Sequence, residues 1–230
     1  MNIPRRSVVF AGAAIAMAAA AFINVPAYAS DASEASELAD KAVITLRSFA
    51  SDKDFASVGP ALAKAKGVLI YPQVLKAGFI LGGSGGSGVL MVRDEKTGKW
   101  VGPAFYTMGS GSLGLQIGAS SAEVLMVINS QKALDSLYTN KLKLGGDASV
   151  AVGPKGQGGA SSLSADFISY SKDKGAFAGV AFDGAVLDVR DKLNNAYYGK
   201  AVTPADILVK REVSNPASAK LQDALAKTGK

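Results

Sequence analysis

The chain has no histidine and no cysteine among its 230 residues. The first absence removes the imidazole on which most general-base mechanisms rely. The second removes thiol nucleophiles and disulfides, so stability has to come from packing alone. Zinc and copper sites of the usual nitrogen–sulfur kind are excluded with them. Aromatic residues are few, at 7%, and 25 basic against 19 acidic side chains give a net charge of only +6. That is far below what a dedicated nucleic-acid binder carries, so no nucleic-acid partner is expected. A modest positive balance does suit an anionic surface.

Residues 1–29 read as an export leader. Arg5-Arg6 forms a basic start, Val8 to Ile23 an alanine-rich apolar run, and Ala27-Tyr28-Ala29 an A-x-A cleavage site. The arginine pair leaves Sec and twin-arginine export both open. No cysteine follows the run, so a lipid anchor on that residue is not expected. The mature protein is predicted to begin near Ser30, exported to the periplasm or envelope, with residues 30–230 as a single domain. Its core falls at about 35–190, with a helical extension over 191–230.

What is present in quantity is glycine, 26 residues with no collagen-like period. Phe79 to Leu81 and Val89 to Val92 are apolar runs of strand length around a segment of glycine and serine alone, which predicts a hairpin with a permissive turn. Gly83, Gly85 and Gly88 satisfy G-x-G-x-x-G, but a strand follows, where a dinucleotide site needs a helix. Gly82-Gly-Ser-Gly-Gly86 satisfies G-x-S-x-G, but a nucleophilic Ser84 lacks a histidine base.

Along the chain, Asp31 to Ala50 carries a helical apolar stripe through Ala35, Leu38, Ala42, Leu46 and Phe49. Pro60 opens a short helix through Lys66. Strands are predicted at Gly67 to Tyr71, ended by Pro72, and at Trp100 to Tyr106, edge or bulged because of Pro103. Further strands follow at Gly109 to Gly118, Glu123 to Ile128, Asp147 to Val152, Asp166 to Ser171, Gly175 to Phe182 and Ala185 to Arg190. Asp94 to Lys99, Lys172 to Gly175 and Asp183-Gly184 read as turns. Helices are predicted through Tyr138 after a cap at Asn129 or Ser130, from Asp191 to Tyr198, and through Lys227 after a cap at Asn215-Pro216. The fold class is α+β: one strongly twisted, mostly antiparallel sheet, open or barrel-like, flanked by N- and C-terminal helices.

Ordered blocks of this sequence resemble the SYLF domain. They are Lys64-Ala-Lys-Gly-Val-Leu-Ile-Tyr-Pro-Gln-Val-Leu-Lys-Ala-Gly-Phe-Ile-Leu-Gly-Gly83, Gly86 to Leu90, Gly109 to Gly118, Val127 to Leu134, Leu144 to Val152 and Lys174 to Val180. The resemblance covers about Ala35 to Val189. It implies a lipid-binding module, since eukaryotic members bind phosphoinositides and some yeast ones bind and bundle actin. With an export leader and no C-terminal signalling module in the sequence, actin is not expected as a partner here. The resemblance transfers no catalytic motif and no cofactor.

The expected partners are therefore anionic phospholipids or phosphoinositide-like lipids at a membrane surface. Candidate contacts are the turn and loop lysines Lys76, Lys141, Lys143, Lys155, Lys172 and Lys174, with Leu142 placed to dip into headgroups between two bases. A protein-interaction role in the cell envelope is the alternative. An enzyme would need a Ser84–Lys76 dyad or paired carboxylates such as Asp183 and Asp188, and none is expected.

Overall fold

The computed structural model describes residues 27–78, 81–113, 118–139, 141–153, 164–174 and 182–229. The expected leader falls almost wholly outside them, as do Lys155, residues 175–181 of an expected strand, and residues 114–117 within another.

Helix α1 runs Ala27–Ser51, and a 3₁₀ turn at Lys53–Phe55 leads into α2, Val58–Lys64. The stripe predicted for α1 is what it buries: Ala35, Ala42, Leu46 and Phe49 are fully enclosed. Four long strands follow: β1 Gly67–Gly78, β2 Leu81–Arg93, β3 Trp100–Leu113 and β4 Gly118–Ile128. Next come α3 Gln131–Thr139, β5 Leu142–Lys143, β6 Val150–Val152, β7 Phe167–Lys174 and β8 Val186–Val189. The chain closes with α4 Asp191–Tyr198, a π-helical turn at Asp206–Lys210 and α5 Ala219–Thr228.

The strands form one curled sheet, a half-barrel, in the order β5-β8-β3-β2-β1-β4-β7-β6. All its pairings are antiparallel except β6 with β7. Alternation sorts the side chains to two faces. Val68, Ile70, Val89, Met91, Leu125 and Val127 pack against α1, α2, α4 and α5. Leu69, Tyr71, Leu90, Tyr106, Val124 and Met126 pack against α3, Leu142, Leu187 and the π-helical turn. Asn194 ties α4 to the sheet: its Oδ1 accepts from Phe105 N at 2.8 Å, continuing the ladder where β8 has ended.

Three expectations about the strands need correction. The glycine–serine segment is not the turn of a hairpin but the first half of β2. Gly82 to Gly85 pair with β1 on one side and β3 on the other. Pro72 does not end β1, a central strand. It sits in a bulge, where the register shifts between Tyr71 and Val74 against β4 and no ladder N–H is asked of it. The same bulge brings Gln73 O so close to Gly86 that a Cβ there would collide with it, which explains the glycine. Finally, Trp100 to Tyr106 and the start of the next predicted strand fuse into β3, while the end of that prediction opens β4.

Two smaller corrections concern β6 and β7. β6 is shorter than predicted because Asp147 turns back to accept from Lys143 N at 2.8 Å. β7 runs straight through Lys172-Asp173-Lys174, which was expected to turn. Of the two caps expected for α3 it is Ser130 whose Oγ accepts from Ala133 N, at 3.1 Å, while Asn215 Oδ1 accepts from Ala217 N at 2.9 Å and caps a 3₁₀ turn, Pro216–Ser218, that leads into α5.

Candidate functional site

The helices cover only part of the sheet. Beyond Gly85 and Leu75, the ends of β1, β2, β3 and β4 are rich in glycine and serine. In β3 period-two alternation sends Ser110 to one face and Gly109 and Gly111 to the other. On the α1 face lie Gly109 and Gly111 of β3, Gly83 and Gly85 of β2 and, on the next strand, Leu75 and Ala77 of β1. On the α3 face lie Ser84, Ser110 and Ser120, with Lys76.

The α1 face of this glycine end is exposed at Gly83, Gly109, Gly111 and Ala77. Leu75 stands 55% exposed there, one of few large apolar side chains so placed among the described residues. A cleft of about 260 Å³ separates it from Glu34, Glu37, Leu38 and Lys41 of α1. Arg190 clasps the helix to this end of the sheet, donating to Glu34 Oε1 at 2.6 Å and to Ser87 Oγ at 2.8 Å. No local pattern signals that clasp, because its three members lie far apart along the chain.

On the α3 face, register puts Lys76 directly between Ser84 of β2 and Ser120 of β4. Ser110 of β3 is the next residue in the row, its Oγ 2.7 Å from Ser84 Oγ. The Ser84–Lys76 adjacency weighed from sequence is therefore real. Ser84 sits mid-strand, however, and not on the strand-to-helix elbow that presents a nucleophile. Asp183 and Asp188 are not brought together as a working pair. Asp188 receives Lys141 Nζ at 2.8 Å, while Asp183 lies in the Gly184 turn.

The remaining candidate lysines have different surroundings. Lys172 is a packing residue, only 19% exposed. Its Nζ donates to Ser48 O at 2.8 Å, meets Asp52 Oδ2 at 2.7 Å and lies 5.3 Å from the ring centroids of both Phe49 and Phe55. That bond holds the Asp52 carboxyl below its ordinary range. Lys141 is exposed but paired with Asp188, which raises its ammonium pKa. Leu142 cannot dip into headgroups, being 1% exposed in the core beneath α3. Lys143 is exposed, and its register partner Val186 pairs in turn with Gly109, so it borders the glycine end. Lys174 is the last residue of β7, in register with Ser121.

Among the described residues no helix is long and apolar enough to cross a membrane. Nor does any group of three acidic side chains there offer a metal ligand set.

The profile of a family described as "Ysc84: Las17-binding protein actin regulator" matches residues 109–228. An SH3 domain-containing protein of Schizosaccharomyces pombe is 38% identical over 69% of this chain and 38% of its own. Protein YSC84 of Saccharomyces cerevisiae is 35% identical over 68% of this chain and 35% of its own. SH3 domain-containing YSC84-like protein 1 of Bos taurus is 34% identical over 69% of this chain and 47% of its own. This chain thus spans less than half the length of each of these relatives. No solved structure matches it. The profile takes in the end of β3 and everything after it through α5, and on that evidence the chain belongs to the Ysc84, or SYLF-domain, family.

Proposed function

We propose that this protein is an exported, non-enzymatic lipid-binding protein whose glycine end settles edge-on into the headgroup layer of an anionic phospholipid membrane. Leu75 carries the reading: a large apolar side chain standing 55% exposed between Gly85 and Ser121, beside the glycines of β2 and β3. Four paired strands can enter the interface cheaply. Their backbone groups are bonded to one another, and glycine and serine bring little to desolvate. Lys76, Lys143 and Lys174 fall at or beside this end, and Lys155 belongs to the set by its charge. Each lysine near an anionic surface contributes about 1 kcal/mol, and burying Leu75 adds about 1 kcal/mol more. The sum is weak, reversible binding that salt weakens.

Vesicle flotation tests it. The protein is expected to float with phosphatidylcholine vesicles containing phosphatidylglycerol and not with phosphatidylcholine alone. Leu75→Asp and Lys143→Glu should each weaken binding about five-fold, the equivalent of about 1 kcal/mol. Equal recovery on both vesicles, or undiminished binding by Leu75→Asp, overturns the proposal.

A second reading is a protein-interaction module. It is favoured by the family's description, which names Las17 binding and actin regulation, and by the relatives' names. The expectation that actin is no partner stands in tension with that description. Co-sedimentation with filamentous actin decides it: pelleting that Leu75→Asp leaves intact would place the partner surface elsewhere on the fold.

A further inference from the structure

We propose that the outer face of α1 is a self-pairing surface, on which a second copy of this chain seats its own α1, antiparallel, in the cleft between α1 and α5. This goes beyond the membrane reading and does not depend on it. The cleft holds about 600 Å³ and is floored by Val43 and Ala224, both buried. Ile44 stands over it 65% exposed. A β-branched residue at an exposed helix position brings neither good helix propensity nor burial, so solvent alone gives it no role.

The two helices run side by side in the same direction. Asp40 of α1 meets Lys220 of α5 at 3.1 Å. Further along, the carbonyl oxygen of Thr228 lies 3.1 Å from where a Cβ would stand on Gly59, just past the end of α1. At the Asp40–Lys220 level the cleft is therefore neutral. Level with Ile44 it carries Asp223, and its far end carries Arg47 and Lys227. Those last three side chains have no ion-pair or hydrogen-bond partner among the described residues.

What fits this pattern is α1 itself. Along Ala27–Ser51 the acids Asp31, Glu34, Glu37 and Asp40 precede the bases Lys41 and Arg47. That order suits the helix dipole, and it also makes the helix complementary to its own reverse. Antiparallel copies oppose acid with base, whereas parallel copies would oppose like with like. Asp40, Ile44 and Arg47 share one exposed stripe at i, i+4 and i+7. Glu37 and Lys41 lie on the next stripe, toward Leu75 and away from α5.

With a second α1 laid antiparallel in the cleft, Asp40 of each copy meets Arg47 of the other, and the Ile44 side chains lie between them. The same placement brings the second copy's Glu37 to Lys227 and its Lys41 to Asp223. A two-fold contact makes each of these pairs twice. The pairs that Asp40 and Glu37 form within one chain, with Lys220 and Lys41, are exposed on both sides. Such pairs contribute little, so exchanging or sharing them costs little.

Sedimentation velocity on the full chain tests the pairing from about 10 µM to about 1 mM, the range in which a small interface associates. The wild type should pass from monomer to dimer across that range. Ile44→Asp, Asp40→Lys and Arg47→Asp should each weaken association about ten-fold. Asp40→Lys mixed one to one with Arg47→Asp should recover it as a heterodimer, because each variant supplies the charge the other lacks. Circular dichroism checks that each variant alone is folded.

A wild type that stays monomeric throughout leaves the cleft to another chain's helix and overturns the self-pairing. Association that the three changes leave intact, as pairing through residues 1–26 would be, overturns it as well. So does a mixture of the two folded charge variants that stays monomeric.

Discussion

Tyr71 lies across Gly88: a Cβ on residue 88 would stand 2.5 Å from Cδ1 of the tyrosine and 2.5 Å from the Ile70 carbonyl oxygen. The two belong to adjacent strands, and the ring uses the space a side chain would occupy. Gly88 is thus fixed by a close approach between strands. Gly88→Ala has to displace backbone and a buried ring together, and overpacking of this kind costs roughly 1–3 kcal/mol. Urea denaturation should show a loss at the upper end of that range. A loss below about 0.5 kcal/mol, the usual size for a surface change, would mean the strands are further apart than described.

The same tyrosine supplies a change in the opposite direction. Its hydroxyl is buried and has no hydrogen-bond partner among the described residues. Burial alone raises its pKa far above the usual phenolic value. An unmade hydrogen bond of this kind costs roughly 1–3 kcal/mol, and deleting the group removes the cost while keeping the ring. Tyr71→Phe should therefore be neutral or more stable by about 1 kcal/mol in the same measurement. Marked destabilisation would reveal a bound water or another partner on the hydroxyl.

Much of this architecture was legible in the sequence, and the failures have a common cause. Apolar spacing located α1, and cap residues located α3 and the 3₁₀ turn that leads into α5, because those signals are local. Asp183-Gly184 read correctly as a turn, with Gly184 at φ 81°. The glycine–serine run misled because conformational freedom in a sequence looks the same whether it is used for turning or for close approach. Only the bulge at Pro72, which carries Gln73 onto Gly86, shows which use applies. The candidate site was harder still. Lys76, Ser84, Ser110 and Ser120 are neighbours solely through register, and a shift of one residue would send each to the other face.

Lys172 illustrates a charge whose role no local pattern could disclose. Its partners Ser48, Phe49, Asp52 and Phe55 come from the end of α1 and the turn after it, more than a hundred residues earlier. Removing a hydrogen-bonded, poorly exposed charge leaves Asp52 without its cation and two rings without their cap. Lys172→Met should cost about 1–3 kcal/mol. A double-mutant cycle with Asp52→Asn should return a coupling energy above about 0.5 kcal/mol. Additive losses would reduce the lysine to an ordinary solvated charge.

The absence of histidine makes the pH response unusually simple to foresee. The side chain whose ordinary pKa lies between about pH 5 and pH 8 is missing from the sequence. The carboxylates act lower. Asp94, in the β2–β3 turn, is drawn down from 3.8 to about 2, chiefly by the Thr97 hydroxyl and N–H and further by Arg211. Asp206 is lowered through Lys210 and Thr203 in the same way, and Asp52 through Lys172. A carboxyl whose folded pKa lies below its unfolded value adds stability that is complete above the unfolded pKa and is lost as pH falls toward the folded one. Denaturation midpoints should therefore be flat from pH 8 to pH 5 and fall steadily from about pH 4 toward pH 2. Asp94→Asn should lower the plateau and flatten the acid limb, because the mutant has less to lose there. An equally steep limb in the mutant, or a slope already present between pH 7 and pH 5, would show that some other group governs the acid response.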